Sequence, residues 1–333
     1  MPDADHNGFP SIRFTEEVDI ALRRGDPVVA LESNVIAHGF RRPENLAVGR
    51  EVERVVRAGG AVPATIAIVD GSVAIGLDDA ELERLATAPA VAKVGSRDIA
   101  VAITGAGLGA TTISATMALA QHVGIATVAS AGLGGVHRGA ENSLDISADL
   151  TELARTELIV VCAGVKKILD IGLTLEFLET QGTPVLGYRY DRFPAFYCRD
   201  SGYPVPVRID DPHRLAEVAR LHRRFAGSGS VLVTHPIPEQ DALDSDTIEV
   251  AIAQALAGAE AAGITGPAVT TAVLRAVDEA TGGTAAAANR AVLLSTAAAA
   301  TEIEVARAAA QRTIGPPDPA VPATAGTEPA HVR

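Results

Sequence analysis

LIVVCAGVKKILDIGLTLEFLET, residues 158–180, shows the chain changing from one kind of local structure to another. Its first five residues are apolar, which is typical of a buried strand, and Ala163-Gly164 ends that strand. The remainder predicts a helix that opens around Lys166 and a helical stretch over residues 173–180. A buried strand followed by a helix is the repeating unit of an α/β protein.

The same alternation extends in both directions from this segment. Strands are predicted at residues 28–31, 64–69, 73–77, 127–130, 184–187 and 231–234, with Asp70-Gly71 as a hairpin turn. Helices are predicted at residues 44–58, around Leu82 after the capping residue Asp78, through Met117, and at 246–262, 268–281 and 286–311. We therefore predict an α/β fold, a single layered α/β/α domain with a mixed, largely parallel sheet.

The two ends of the chain differ in composition from the body. Residues 1–10 are polar, and the tail over residues 313–333 has five prolines and almost no large apolar side chains. Such segments bury too little apolar surface to offset the entropy of ordering, so both are predicted to be disordered. The folded domain is predicted to span residues 11–312.

Charge and composition exclude several classes of protein. The net charge of −13 disfavours binding to nucleic acid or to an anionic membrane. No stretch approaches the roughly 20 apolar residues that cross a bilayer, and the first residues do not resemble a signal peptide. Two cysteines cannot form a disulfide framework, which favours a reducing, cytoplasmic setting.

Lysine is rare in this chain. Of the 28 basic residues only Lys93, Lys166 and Lys167 are lysines, and the others are arginines. Arginine can replace lysine where charge alone matters, but a guanidinium cannot attack a carbonyl as an amine does. The retained lysines are therefore candidates for chemistry, with chance survival as the alternative.

Lys166 has two interpretations of about equal weight. At the start of a helix, the helix dipole and the charge of Lys167 would both lower the pKa of Lys166, which would free its amine as a nucleophile. Alternatively, a lysine at a helix N-terminus binds phosphate. Either role places Lys166 in a functional site.

Glu32 ends the predicted strand over residues 28–31. A carboxyl group at a strand end can act as a general acid or base if partial burial raises its pKa. An N-cap or a surface ion pair is the simpler alternative. Because ligands bind beyond the carboxyl ends of strands in α/β folds, Glu32, Lys93, Ser130 and Lys166 are expected to converge.

GGVHRGAENSLDISADL, residues 134–150, concentrates polar and charged groups. His137 and Arg138 can meet anionic oxygens. Asp145 and Asp149 lie four apart, so on a helix they would share a face, and carboxylate ligands suit Mg²⁺ or Mn²⁺. An ordinary N-capped helix is the alternative. The glycines of GAGLGA, residues 105–110, do not match a dinucleotide-binding fingerprint, which also needs a later acidic residue.

Several segments, taken in order, resemble one family, the pseudouridine-5′-phosphate glycosidases, also called indigoidine synthase A-like proteins. The resemblance covers nearly all of residues 14–310. It is carried by ALESNVIAHG, GAVPATIAI, GATTISATM, GLGGVHRGAENSLDISADL, VCAGVKKILDIG, FPAFYCRDSGYPVP and PIPEQDAL.

The resemblance implies a reaction and a set of site residues. The reaction reversibly joins ribose 5-phosphate and uracil through a carbon–carbon glycosidic bond, in a homotrimer with a divalent metal, typically Mn²⁺. Lys166 matches the lysine that forms an imine with ring-opened ribose, Glu32 the proton donor, and Asp145 the metal ligand. Substrate-binding positions are matched by Lys93, Ile113, Ser130, His137, Ser147, Ala148, Asp149 and Asn289.

The chain also departs from the family's usual residues. The departures include Asn34, Ser130, Ala131, His235 and Ser295. Three functions are consistent with this pattern. The first is the glycosidase itself, and the second is a C-glycosynthase that joins ribose 5-phosphate to another carbon nucleophile, such as an aromatic polyketide. The third, an inactive sugar-phosphate-binding protein, is disfavoured because the imine lysine, the acid and the metal ligand are all retained.

Overall fold

The computed structural model describes residues 12–226, 229–264, 273 and 276–314. It confirms the predicted α/β layered fold with a mixed, largely parallel sheet. The thirteen strands in these residues are β1 Ile12–Phe14, β2 Val28–Glu32, β3 Val62–Val69, β4 Ser72–Ile75, β5 Ala92–Val94, β6 Leu108–Thr111, β7 Thr127–Ala129, β8 Val136–His137, β9 Ile159–Cys162, β10 Leu169–Asp170, β11 Val185–Tyr188, β12 Val207–Ile209 and β13 Val231–Thr234.

Eleven strands form the main sheet in the order β1-β4-β3-β2-β7-β9-β13-β11-β12, with β6 paired to β3 and β5 paired to β6. Only β3–β4 and β3–β6 are antiparallel. β8 and β10 form a separate antiparallel pair. Because the central strands β2, β7, β9 and β13 are parallel, their carboxyl ends lie at the same end of the sheet, where polar side chains can meet.

Helices cover both faces of the sheet. They are α1 Glu16–Arg24, α2 Asn34–His38, α3 Glu44–Ala58, α4 Asp79–Thr87, α5 Ile99–Thr104, α6 Ile113–His122, α7 Ala140–Ser143, α8 Ala148–Arg155, α9 Ile171–Thr180, α10 Pro212–Ala226, α11 Ser245–Ala261 and α12 Thr284–Ile314. Single turns of 3₁₀ helix cover Ser96–Asp98 and Glu239–Asp241. Among the described residues, no helix is both long enough and apolar enough to cross a bilayer.

The central strands supply side chains to two separate cores. In β2, Val28 and Ala30 join the core that α6 and α8 cover, while Val29 and Leu31 join the core that α3 and α12 cover. This follows from the period of two in a strand, which sends successive side chains to opposite faces. An apolar run without alternation is what a strand buried on both faces requires.

The pairing of β3 with both β2 and β6 determines which residues lie at the carboxyl end of β2. Residues Val62–Ile66 of β3 pair with β2, whereas Ala67–Val69 pair with β6. Because β4 occupies the other side of β3, β6 lies in line with β2 just beyond Glu32. β5 pairs with β6 and carries Lys93. The longer strand β3 therefore brings Lys93 to the end of β2.

Most local predictions match the structure. The helix over residues 44–58 is α3, the hairpin at Asp70-Gly71 joins β3 to β4, and Asp78 caps α4 in a capping box. The predicted tail begins too early, because α12 continues to Ile314. Residues 1–11 and 315–333, and half of the helix predicted over residues 268–281, lie outside the described residues, whereas residues 276–280 are helical as predicted. Disorder at the two ends therefore stays a prediction.

Candidate active site

Glu32 and Ser130 meet at the centre of the sheet. β2 and β7 are neighbours, with Leu31 opposite Ala129, so the residues that follow these two partners lie side by side. The Ser130 hydroxyl donates a short hydrogen bond to the Glu32 carboxylate. Convergence at the strand ends, predicted from the sequence, is confirmed for this pair.

The Glu32 carboxyl group has a pKa raised to about 7, chiefly because burial removes it from water. The hydrogen bond from Ser130 works in the opposite direction, and so do the charges of Lys166 and Lys93. A carboxyl group with a pKa near neutrality can both donate and accept a proton at physiological pH. The general acid or base interpretation of Glu32 is therefore supported over an N-cap or a surface ion pair.

Lys166 lies in a loop between β9 and β10, and the prediction that a helix opens there is wrong. Leu169 and Asp170 pair with β8, and α9 begins only at Ile171, where the Asp170 carboxylate accepts the N–H of Leu173 at 2.9 Å. The helix dipole therefore does not act on Lys166. The pKa of Lys166 is nevertheless lowered, mainly by burial and secondarily by the charge of Lys93.

Lys167 does not contribute to that shift, contrary to the sequence-based expectation. Its ammonium donates to the Ser245 carbonyl oxygen at 2.6 Å and to the Ser245 hydroxyl oxygen at 2.5 Å. The two adjacent lysines therefore have different surroundings, Lys166 close to Glu32 and Lys167 at the first turn of α11.

Asp149 joins three segments around the site. One oxygen of its carboxylate accepts the N–H of Ser114 at 3.0 Å, and the other accepts the N–H of Gly134 at 2.9 Å. The Ser147 hydroxyl in turn caps α8 by accepting the N–H of Asp149. A Cβ on Gly134 would lie 2.3 Å from the Ser147 Oγ atom, so only glycine permits this approach.

Three other predicted binding residues surround this junction. Ile113 is the buried first residue of α6, Ala148 is the exposed first residue of α8, and Lys93 is exposed on β5. Helix N-termini favour anions, and the start of α6 is tied to the start of α8 through Asp149. Lys93 adds a positive charge that acts on both Glu32 and Lys166.

Asp145 and Asp149 do not share a helix face, so that part of the metal prediction is wrong. Asp145 precedes α8 and its carboxylate is 53% exposed, whereas Asp149 is buried. The Asp145 carboxylate faces His137, with 3.8 Å between Nδ1 and Oδ2. Within the described residues, no three His, Cys, Asp or Glu side chains could hold a metal together. Asp145 therefore offers a single carboxylate, and a hard cation held there would need water for its other ligands.

Asn289 lies on α12 and contacts a different part of the chain. Its Nδ2 group donates to the Gly39 carbonyl oxygen at 3.5 Å, at the end of α2. Its Oδ1 atom is buried without a hydrogen-bond partner, as is that of Asn34 at the start of α2. Buried amide oxygens without partners are rare, and a ligand that donates an N–H would satisfy them.

Phe196 was not identified from the sequence. The Lys166 Nζ atom lies 5.8 Å from the centroid of the Phe196 ring. A Cβ on Gly132 would lie 2.5 Å from that ring, so the contact requires glycine. Phe196 has a φ of 63°, which is unusual for a bulky residue and typical of strained functional positions. The run FPAFYC, in a chain with only 3% aromatic residues, was the available signal.

Comparisons with known proteins agree on one group. Residues 17–306 match the family described as indigoidine synthase A like protein. A pseudouridine-5′-phosphate glycosidase from Dickeya dadantii is 51% identical over 295 residues, which cover 89% of this chain and 93% of that protein. Another from a Nocardioides species is 50% identical and covers 85% of this chain and 92% of its own.

Two solved structures are also similar. The prealnumycin C-glycosynthase AlnA, in complex with ribulose 5-phosphate, is 44% identical with a TM-score of 0.86, covering 91% of this chain and 99% of that one. An indigoidine synthase A-like protein from Thermotoga maritima is 32% identical with a TM-score of 0.81, covering 91% and 98%.

Proposed function

The chain belongs to the indigoidine synthase A-like family, and from that premise we propose that it is a pseudouridine-5′-phosphate glycosidase. The enzyme reversibly cleaves the carbon–carbon bond between ribose 5-phosphate and uracil. Relatives of about 50% identity over most of the chain carry that activity in their names.

One observation in the site carries the proposal. Lys166 has a lowered pKa, which raises the fraction of neutral amine, and it acts electrostatically on Glu32, whose pKa is about 7. A nucleophilic amine beside a proton donor is the pair that imine chemistry on an aldehyde requires. A purely structural ion pair would instead keep both groups charged.

The reaction uses this pair as follows. A C-glycosidic bond has no leaving-group oxygen, so the two-carboxylate route of glycoside hydrolases cannot cut it. In the synthetic direction, the Lys166 amine condenses with the C1 aldehyde of ring-opened ribose 5-phosphate and releases water. The iminium carbon then bonds to a ring carbon of uracil, which gives up its proton to the Glu32 carboxylate. The sugar hydroxyl closes the ring as it displaces the amine, and the departing amine takes up the hydroxyl proton. Cleavage is the reverse sequence, for which Glu32 supplies a proton.

The phosphate is assigned to the positive side of the site. The ammonium of Lys93 and the N-termini of α6 and α8 supply positive potential there. Ile113, Ser147, Ala148 and Asp149 occupy those helix starts. A C-glycosynthase with this fold binds ribulose 5-phosphate, which supports a sugar phosphate as the ligand.

A divalent cation is part of the proposal. Asp145 would hold Mn²⁺ or another hard cation, with His137 beside it and water as the remaining ligands. The cation would supply positive charge near the substrate. The exposure of the Asp145 carboxylate supports such a hydrated ion.

Assembly and location complete the proposal. A homotrimer is proposed from the family resemblance alone. Sedimentation equilibrium should give three times the chain mass. A cytoplasmic location is supported by Cys162 and Cys198, which are buried and unpaired.

A direct assay tests the activity. Cleavage of pseudouridine 5′-phosphate should proceed at roughly 1–10³ s⁻¹, as is usual for an enzyme on its own substrate. The reverse reaction with ribose 5-phosphate and uracil should also proceed. Imine formation with ribose 5-phosphate but no turnover of uracil would contradict the proposal.

Imine formation with ribose 5-phosphate but no turnover of uracil would favour the C-glycosynthase. Two observations support it as the other candidate, namely the similarity to AlnA and the changed residues near the strand ends. The Asn34 Oδ1 atom is buried without a partner, and His235 follows β13 with its Nδ1 atom 3.4 Å from the Tyr188 carbonyl oxygen. If these positions face the aglycone, a carbon nucleophile other than uracil would be accepted.

A further inference from the structure

A cluster of three charged residues lies beside the site and takes no part in the chemistry described above. Arg138 donates to both oxygens of the Glu249 carboxylate, at 2.9 and 3.2 Å. The Lys167 ammonium lies 3.8 Å from the same carboxylate and also donates to both oxygens of Ser245. We call Arg138, Lys167 and Glu249 the clamp.

The clamp connects the two loops of the site to one helix. Arg138 directly follows His137 at the end of β8, Lys167 directly follows Lys166, and Glu249 lies in the first turns of α11. Arg138 also donates to the Lys167 backbone carbonyl oxygen at 2.9 Å. Both the backbone and the side chain of the residue after Lys166 are therefore fixed.

The geometry explains why residue 167 is a lysine in a chain that otherwise uses arginine. Its side chain is 14% exposed, and its ammonium meets two oxygens of one serine at short distance. A compact ammonium can donate to both, whereas the planar fork of a guanidinium is larger and matches a carboxylate instead. Charge alone would not have required lysine at this position.

We propose that the clamp positions Lys166. By holding Lys167 against Arg138 and α11, it fixes the direction in which the Lys166 side chain leaves the loop, toward the Phe196 ring, whose centroid lies 5.8 Å from Nζ. The inference rests on the proposed imine role of Lys166. Arg138, Lys167 and Glu249 are positioning residues, since none of them is assigned a contact with the substrate.

The test compares the rate of imine formation between matched variants. In Glu249→Gln the carboxylate that pairs with both cations is lost. In Lys167→Arg the charge is kept, but the two bonds to Ser245 cannot both form. Glu217→Gln is the control, because it breaks a bidentate pair with Arg220 on the outer helix α10. Each protein is mixed with saturating ribose 5-phosphate and quenched with borohydride at successive times.

Both clamp variants should form the trapped adduct at least about 10-fold more slowly than the unaltered enzyme, because misplacing a reacting group is costly. Affinity for ribose 5-phosphate should change less than twofold, and the melting temperature should fall no further than in Glu217→Gln. If Glu249→Gln or Lys167→Arg unfolds, Arg138→Lys provides a milder variant, because a lysine there can keep one bond to Glu249. Unchanged trapping rates in folded clamp variants would overturn the proposal alone. Absence of any adduct in the unaltered enzyme would overturn the imine and the clamp together.

Discussion

The ionisable side chains in the inner and outer parts of the site differ in their exposure to solvent. Glu32 and Lys166 form the inner part, where burial shifts both pKa values toward neutrality. His137 and Asp145 form the outer part, with side chains 34% and 53% exposed. Proton transfer benefits from groups that are poised near neutral pH, whereas binding a hydrated cation needs a charged carboxylate in contact with water. The proposed proton transfer and the proposed cation binding would therefore be separated by their access to solvent.

Lys166→Arg tests the inner part most strongly. A guanidinium keeps a positive charge beside Glu32 but cannot form an imine, so turnover should fall by at least about 10⁴-fold. The measurement is cleavage of pseudouridine 5′-phosphate, with borohydride trapping as a second readout. In the unaltered enzyme one sugar phosphate should be attached to Lys166. Label on Lys93 or Lys167 instead would show that the inner part has been assigned wrongly.

Asp145→Ala tests the outer part and should have an intermediate effect. Loss of the carboxylate should lower turnover by roughly 10²-fold, since the proposed cation would supply charge stabilisation and no covalent step. Chelation of the unaltered enzyme should have the same effect, and Mn²⁺ should reverse it. The variant should not respond to Mn²⁺, while Lys166 should still be trapped by borohydride. Full activity after chelation would contradict the assignment of a metal to the outer part.

Ser130→Ala should have the smallest effect on activity, and it tests how the pKa of Glu32 in the inner part is set. The serine hydroxyl stabilises the Glu32 carboxylate, so its loss should raise the pKa of Glu32 above about 7. A proton donor loses activity as the pH rises through its pKa. The alkaline limb of the rate profile should therefore move to higher pH, by about one unit. Thr180→Ala removes an exposed hydroxyl on α9 and should leave the limb in place.

Local sequence signals predicted the parts of the fold that depend on local pattern. The strand at residues 28–31 and the helix over residues 44–58 follow from apolar spacing, and Asp70-Gly71 follows from turn chemistry. Convergence of Glu32 and Ser130 followed from the rule about strand ends. These inferences needed no knowledge of which distant segments pair.

Two of the errors in the site share one physical cause, a short pairing between distant segments. Leu169–Asp170 pairs with β8, which delays the start of α9 and leaves Lys166 in a loop. Ile146 forms a bridge to Val136 of the same strand, which holds Asp145 outside α8. Two-residue strands have almost no periodicity, so neither contact is visible in the local sequence. The role of Asp149 as a link between three segments was missed because its partners, the N–H groups of Ser114 and Gly134, lie far from it in the sequence.

The different surroundings of the three lysines have a consequence for chemical modification. An amine-selective reagent would meet an exposed ammonium at Lys93, a desolvated amine at Lys166 and a fully engaged ammonium at Lys167. The sequence contains no fourth lysine, so no other lysine side chain obscures the reaction at these three positions. Each modified side-chain amine therefore reports on a separate part of the site. Modification of Lys93 reports on the proposed phosphate-binding region, that of Lys166 on the loop between β9 and β10, and that of Lys167 on the clamp.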